Sequence, residues 1–212
     1  QDISIRDQKQ EDPPMSVEEK SLLSKRISQG HFVASCEMTP PRGWELQRII
    51  HAAEELKNAG FDTINVPDGP RASAKMGPLA MAVTIQQRVG AETILHYTCR
   101  DRNMLGMQSD LLGAYAVGLR NVLLITGDPP ALGDYPYATG VFDVDAIGLT
   151  NMVTRLNHGY DIGDKSIGKP TGFFIGVGAN PTAVNLDKEI ERFIRKIDAG
   201  AEFANSAPAS IF

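Results

Sequence analysis

From His31 to about Glu202, short runs of apolar and β-branched residues alternate with stretches whose apolar positions recur every three to four residues. That alternation is the sequence form of successive βα units around a parallel sheet. It predicts strands over 31–38, 62–67, 92–99, 121–126 and 172–179, and a sixth beginning near Glu202. Helices are expected over 44–59, 78–89, 104–117, 144–157 and 186–198. Gly60, Gly90, Gly118, Gly159 and Gly200 stand where these helices should end, because glycine enters the left-handed conformation of a helix C-terminus without a Cβ penalty. Ahead of this block, Ser16 followed by Glu19 reads as a capping box, and Val17, Leu22, Leu23 and Ile27 form the apolar stripe by which a short helix ending before Gly30 should dock. The resulting division is a polar linker or tail over 1–15, an N-terminal helix over 16–30, and one barrel domain over 31–212, partial at its C-terminal end.

Consecutive βα units without hairpin signals fit either a doubly wound open sheet or a TIM barrel. A dinucleotide-binding open sheet carries G-x-G-x-x-G after its first strand, and here that position reads SCEMTPPRG. Polar residues instead collect at the C-terminal ends of successive strands: Glu37, Asp68, His96 with Thr98, Thr126 with Asp128, and Asn180. In a TIM barrel those ends form one rim, where the active site is built. The expected fold is therefore an α/β TIM (β/α)8 barrel, with about six βα units present.

Composition narrows the function. The 212 residues are 42% hydrophobic, which suits one sizeable core. A formal net charge of -5 argues against nucleic acid or an acidic membrane surface as partner, since both select for excess Lys and Arg. No apolar run approaches the roughly 20 residues of a membrane span, and the start shows no signal-peptide pattern; a cytoplasmic location is expected. Cys36 and Cys99 are the only cysteines, too few for a disulfide framework or a cysteine-based zinc site, and read as reduced packing residues. His31, His51, His96 and His158 share no metal-ligand spacing, so no metal is expected. Nucleophile-elbow and Walker motifs are absent from the sequence.

Strand alternation puts Val33, Ser35 and Glu37 on one face. If that face is inward, Glu37 projects into the barrel mouth, where desolvation favours the protonated carboxyl of a general acid; a solvated rim glutamate is the plain alternative. NVLLITGDPP ends the fourth strand with Thr126, Gly127 and Asp128 and opens a long loop through Gly140 with Tyr135 and Tyr137. Gly127 permits close backbone approach of a ligand and Asp128 offers acceptors to a heterocycle, or Asp128 organises the turn before Pro129. In GFFIGVGANP, Gly176 and Gly178 share the face of Asn180, leaving room for a ring or for a close-packed neighbour. His96 is a donor candidate for a phosphate or carbonyl, or a satisfied core histidine. The charges of DKEIERFIRK read as a solvated helix face.

SCEMTPPRG, LHYTC, NVLLITGDPP and FIGVGANP with RKIDAGAEFA, in this order and spacing from about Phe32 to Ala204, resemble methylenetetrahydrofolate reductases, the FAD-containing TIM barrels that reduce methylenetetrahydrofolate to methyltetrahydrofolate. The wording EMTPPRG, NVPDGPRASAKMG and ITGDPP is similar to the reductase half of bifunctional proteins with a homocysteine methyltransferase domain ahead of it. The resemblance implies Glu37 as the general acid that protonates folate N10, and Asp128 as the aspartate near flavin and pterin. It implies FAD contacts at Asp68, His96, Thr126, Gly127, Asp128, Phe142, Asp143, Asn180 and Lys196, the last suited by charge to the diphosphate. It further implies NADH or NADPH as reductant in a ping-pong reaction through flavin N5, a folate substrate, and room for a homo-oligomer.

The chain departs from that pattern in places. Thr126 stands where many members carry arginine, Met38 and Thr39 where paired phenylalanines are common, and Pro67 with Asp68 in place of a Thr-Tyr pair. After AGAEFA the family continues Ile-Thr-Gln-Pro, with a folate-contacting glutamine and two more βα units; here Asn205, Ser206, Ala207 and Pro208 follow and Phe212 is last. Six strands do not close an eight-stranded barrel, so the sequence is expected to belong to a longer chain. The rival readings are a flavin-free pterin-binding barrel and a non-catalytic partial barrel that pairs its open edge with a partner.

Overall fold

The computed structural model describes residues 13–206; the 1–12 part of the expected linker and the tail after Ser206 lie outside them. Two short helices open it, α1 (Val17–Lys20) and α2 (Leu22–Ser28). There follow β1 (Ser35–Glu37), α3 (Gln47–Asn58), β2 (Thr63–Val66), α4 (Pro78–Val89), β3 (Glu92–Thr98), α5 (Met104–Ala116) and β4 (Asn121–Ile125). The last elements are α6 (Ala146–Asn157), β5 (Phe174–Ala179), α7 (Leu186–Asp198) and β6 (Phe203–Ser206). All six strands join one sheet in sequential order, each pair parallel. The sheet curls into a half-barrel: Val33 and Ser35 at one end and Phe203 and Asn205 at the other line the same concavity of about 580 Å³. Among the described residues β1 and β6 each have one neighbouring strand, so the barrel is open, as the count of βα units implied.

Alternation along each strand separates two environments. Ile64, Val66, Leu95, Tyr97, Val122, Leu124 and Ile175 point outward into the main core, where Ala53, Met81, Ile85, Leu111, Leu149 and Leu156 of the surrounding helices meet them. The concave side holds a smaller apolar cluster of Leu23, Ile94, Leu123 and Phe174, and polar Asn65 and His96. The expected helix-ending glycines all have positive φ, from 67° at Gly90 to 112° at Gly200. Element ends differ from expectation by a few residues, most at β1, which shrinks from 31–38 to three residues because it pairs only from Ser35↔Thr63 to Glu37↔Asn65.

The N-terminal helix needs correction. It breaks at Ser21, whose backbone is extended, and the capping box forms there: Ser24 N donates to Ser21 Oγ at 2.9 Å and Ser21 N to Ser24 Oγ at 2.9 Å. Ser16 makes no side-chain cap; its hydroxyl donates to Glu19 Oε2 at 2.7 Å. Of the expected stripe only Leu23 is buried, while Val17, Leu22 and Ile27 are exposed. Polar groups carry the docking instead. Lys20 Nζ donates to Phe173 O at 3.0 Å and pairs with Glu202 at 2.6 Å. Leu22 N and Leu23 N donate to the Glu92 carboxylate at 3.1 and 2.7 Å, a negative group at the positive end of α2. Burial pushes the Glu92 carboxyl up, against the pull of these bonds.

Candidate active site

Parallel registry aligns the C-terminal ends of the strands, and the residues just beyond them make one rim. Glu37 from β1, Asp68 and Gly69 after β2, His96, Thr98 and Arg100 in and after β3, and Gly127 and Asp128 after β4 line a cleft of about 360 Å³. Six of the sequence-derived residues, Glu37, Asp68, His96, Thr98, Gly127 and Asp128, are thereby brought together. Thr126, Asn180 and Lys196 line a second cavity of about 290 Å³ with Gly178 and Arg192. Phe142 and Asp143 line neither cavity.

Each carboxylate has a different environment. Glu37 is exposed, and no described residue donates a hydrogen bond to its carboxylate; the desolvation expected for it is not supplied by the rim itself. Asp68 is buried, and its Oδ2 accepts from Thr98 N at 3.0 Å, Thr98 Oγ1 at 2.9 Å and Arg102 Nη1 at 3.3 Å. One oxygen of Asp68 thus ties the end of β2 to β3. Asp128 Oδ2 accepts from Arg71 N at 3.0 Å, so Asp128 organises the neighbouring β2–α4 loop rather than its own turn. Its other oxygen has no partner among the described residues.

His96 sits on the concave face with Nε2 2.9 Å from Asn65 Oδ1. Burial lowers its pKa to about 4, so the imidazole is neutral near pH 7 and brings no positive charge to a phosphate. Asn65 Nδ2 donates to Ser35 Oγ, which also accepts from Thr63 Oγ1 at 3.0 Å; a polar ribbon crosses β1, β2 and β3. Gly127 has φ 92°, and a Cβ there would lie 3.0 Å from Thr98 Cβ, so both the turn and the close approach call for glycine.

In the second cavity Lys196 is buried, with Nζ donating to Gly178 O at 2.6 Å. The solvated face expected for this lysine is therefore wrong: its side chain reaches from α7 to a carbonyl of β5, and burial lowers its pKa. Thr126 Oγ1 accepts from Ala146 N at 3.1 Å at the start of α6, and Asn180 Oδ1 accepts from Thr182 N and Oγ1 at 3.1 and 2.9 Å. The two strand glycines separate the two readings offered for them. A Cβ on Gly176 would strike the Phe203 ring at 2.2 Å, whereas one on Gly178 would meet nothing nearer than Ile125 Cγ2 at 3.7 Å. Gly176 makes room for a neighbour and Gly178 leaves space at the rim. Asp143 accepts from Met104 N at 3.1 Å at the start of α5, and Phe142, at φ 45°, packs on the outer core.

Asn65, Arg100 and Arg102 were not singled out from sequence. Arg100 forks onto Asp101 at 2.8 and 2.7 Å and donates to Gly69 O at 3.1 Å. Arg102 joins Asp68 to Asp110, at 2.7 Å, and its guanidinium lies 4.9 Å above the Tyr97 ring. The signal available was CRDRN, two arginines directly after a strand end. Among the described residues no cluster of three His, Cys, Asp or Glu side chains is placed to hold a metal, and no helix is long and apolar enough to cross a membrane.

An open parallel barrel with its polar groups gathered at the C-terminal rim defines the class, a TIM-barrel-like α/β protein. Solved structures share that fold: 2,3-dimethylmalate lyase, at TM-score 0.58 and 12% identity over 93% of this chain and 64% of that one, and an uncharacterized Clostridium thermocellum protein that binds two copies of 5-methyl-5,6,7,8-tetrahydrofolic acid, at TM-score 0.58 and 15% identity over 89% and 59%. The methylenetetrahydrofolate reductase family model matches residues 22–207, and the chain belongs to that family. Relatives include a probable methylenetetrahydrofolate reductase (NADH) of Oryza sativa subsp. japonica, 27% identical over 89% of this chain and 32% of its own length. A 5,10-methylenetetrahydrofolate reductase of Pectobacterium carotovorum subsp. carotovorum is 24% identical over 83% and 54%. The chain thus spans about half or less of these relatives.

Proposed function

We propose that this protein reduces 5,10-methylenetetrahydrofolate to 5-methyltetrahydrofolate, using FAD and a reduced nicotinamide, NADH or NADPH. The observation that carries the reading is the convergence of Glu37, His96, Gly127 and Asp128 from three strand ends on one cleft, in a chain of the reductase family. The residues fit a flavin. Gly178 leaves space at the rim for a ring, Gly127 lines the cleft without a side chain, and the buried Lys196 ammonium, with Thr126 and Asn180 beside it, matches a diphosphate in charge and donors. When bound, the flavin supplies the hydride chemistry.

The chain's own residues do the rest. Glu37, with no hydrogen bond to satisfy within the rim, is free to turn its carboxyl on a substrate. A ring covering the cleft excludes water and favours the neutral acid, which donates its proton to folate N10 so that the five-membered ring opens. Asp128 keeps one oxygen for the substrate while the other holds the β2–α4 loop. Asp68, through Thr98 and Arg102, fixes the rim on which both lie. His96 offers a neutral polar edge to a ring above it.

The reductase unit in this reading is 31–212, with 16–30 seated beneath the sheet. The EMTPPRG and NVPDGPRASAKMG wording supports a homocysteine methyltransferase domain ahead of it. The test is purification of the full-length protein: a bound flavin spectrum and nicotinamide-dependent reduction of methylenetetrahydrofolate are expected. Folate binding without flavin would instead indicate a flavin-free pterin barrel, and neither would leave the non-catalytic partial barrel.

A further inference from the structure

A third cleft, of about 260 Å³, adjoins the catalytic one: Asp68, Gly69 and Arg100 line both. Its far side is the Gly69–Gly77 loop, and Pro130, Tyr135 and Ala138 close it from the β4–α6 loop. The cations on its wall are not equivalent. Arg100 is taken by Asp101 and Gly69 O, and Arg102 by Asp68 and Asp110. Lys75 is half-buried and has neither a hydrogen bond nor a counter-ion among the described residues. An ammonium that no carboxylate already holds can take an arriving anionic group without first breaking an existing pair.

The loop that presents Lys75 is held in a conformation that side chains rarely adopt. Arg71 and Ala72, neither of them glycine, have φ 57° and 50°. Such strain persists only where surroundings over-determine it, and it clusters at ligand sites. Here Asp128 takes Arg71 N, Ser73 Oγ donates to Pro70 O at 2.9 Å, and Met76 N donates to Pro41 O at 2.9 Å. Gly133 presses on the loop so closely that a Cβ there would sit 2.1 Å from Ala72 O. The catalytic aspartate candidate and the Lys75 loop are thus joined directly, through Arg71 N.

We propose that this cleft receives the anionic end of a substrate whose reacting ring occupies the Glu37 and Asp128 cleft, with Lys75 as its counter-charge. The inference deepens the reductase reading and rests on it for the ring. The anionic group is either a phosphate of the reduced dinucleotide or a carboxylate of the folate tail. Two probes separate these sources, inorganic pyrophosphate and p-aminobenzoylglutamate, each titrated by calorimetry into flavin-loaded full-length protein as wild type, Lys75→Arg and Lys75→Glu. One probe should bind wild type and Lys75→Arg alike and bind Lys75→Glu at least about tenfold more weakly, with KM for the matching substrate rising in parallel. Pyrophosphate as that probe assigns the dinucleotide; p-aminobenzoylglutamate assigns folate. Failure of both probes to bind, or equal binding by all three proteins, overturns the proposal. Because binding is read without turnover, a Lys75-dependent probe in a protein that reduces no folate would sink the reductase reading and leave the cleft standing.

Discussion

The two faces of the sheet are made by alternate residues of the same strands, and they are built on opposite principles. On the outer face Leu95, Leu124 and Ile175 are sealed under helices. On the concave face a polar ribbon of Ser35, Asn65 and His96 runs between a few apolar side chains, and the rim above it carries Glu37, whose carboxylate accepts no hydrogen bond among the described residues, and Asp128, which uses one carboxylate oxygen. The outer face holds the fold together, and the inner face gives up packing for polar groups that line an open concavity. Packing and polar lining are therefore separable along a single strand, residue by residue.

The largest effect should come from neighbouring residues of β4. Leu124→Ala opens a cavity in the sealed face and should cost about 2–5 kcal/mol in denaturant unfolding. Ile125→Ala, on the partly open face, should cost less than half of that; equal losses would erase the distinction between the faces.

Next is a pH effect belonging to the inner face alone. The pKa of His96 is about 4 in the folded chain against 6.5 for the free side chain, so the unfolded state takes up a proton first as pH falls. The stability from keeping it neutral is fully present above pH 6.5 and is lost between about 6.5 and 4, roughly 3 kcal/mol in all. His96→Gln should flatten that part of the stability profile. An unchanged slope would mean that the histidine takes up its proton alike in the folded and unfolded chains.

A smaller contrast lies between two rim glycines. Gly127→Ala forces a side chain into a positive φ and against Thr98, and should cost about 1–2 kcal/mol. Gly178→Ala meets only an ordinary contact and should leave the melting temperature nearly unchanged while reducing flavin retention. A stable Gly127→Ala protein, or full flavin retention by Gly178→Ala, would reverse the roles given to these positions.

These differences also mark what could be read from the chain. Strands and helix-ending glycines were legible because period and φ preference are local properties. The gathering of Glu37 and Asp128 in one cleft followed from their position at strand ends. The N-terminal cap was not legible: Ser16 with Glu19 and Ser21 with Ser24 compete locally, and Glu92, 69 residues from Leu23, lies outside any local window. Nor could helical pattern show that Lys196 is buried, since its partner is a carbonyl on β5. Asn65, Arg100 and Arg102 acquire meaning only through pairings across strands.

The central claim is that Glu37 supplies a proton to folate while the remainder of the rim serves both electron transfers. Stopped-flow measurement of the two half-reactions in wild type and Glu37→Gln tests it most directly, with Asp128→Asn as the comparison. Glu37→Gln keeps shape but has no acid proton, so nicotinamide oxidation should proceed near the wild-type rate while methylenetetrahydrofolate reduction falls about 100-fold or more. Asp128→Asn should alter both half-reactions. If Glu37→Gln slows both halves equally, or if folate reduction survives the substitution, Glu37 is a solvated rim residue and the proton comes from elsewhere.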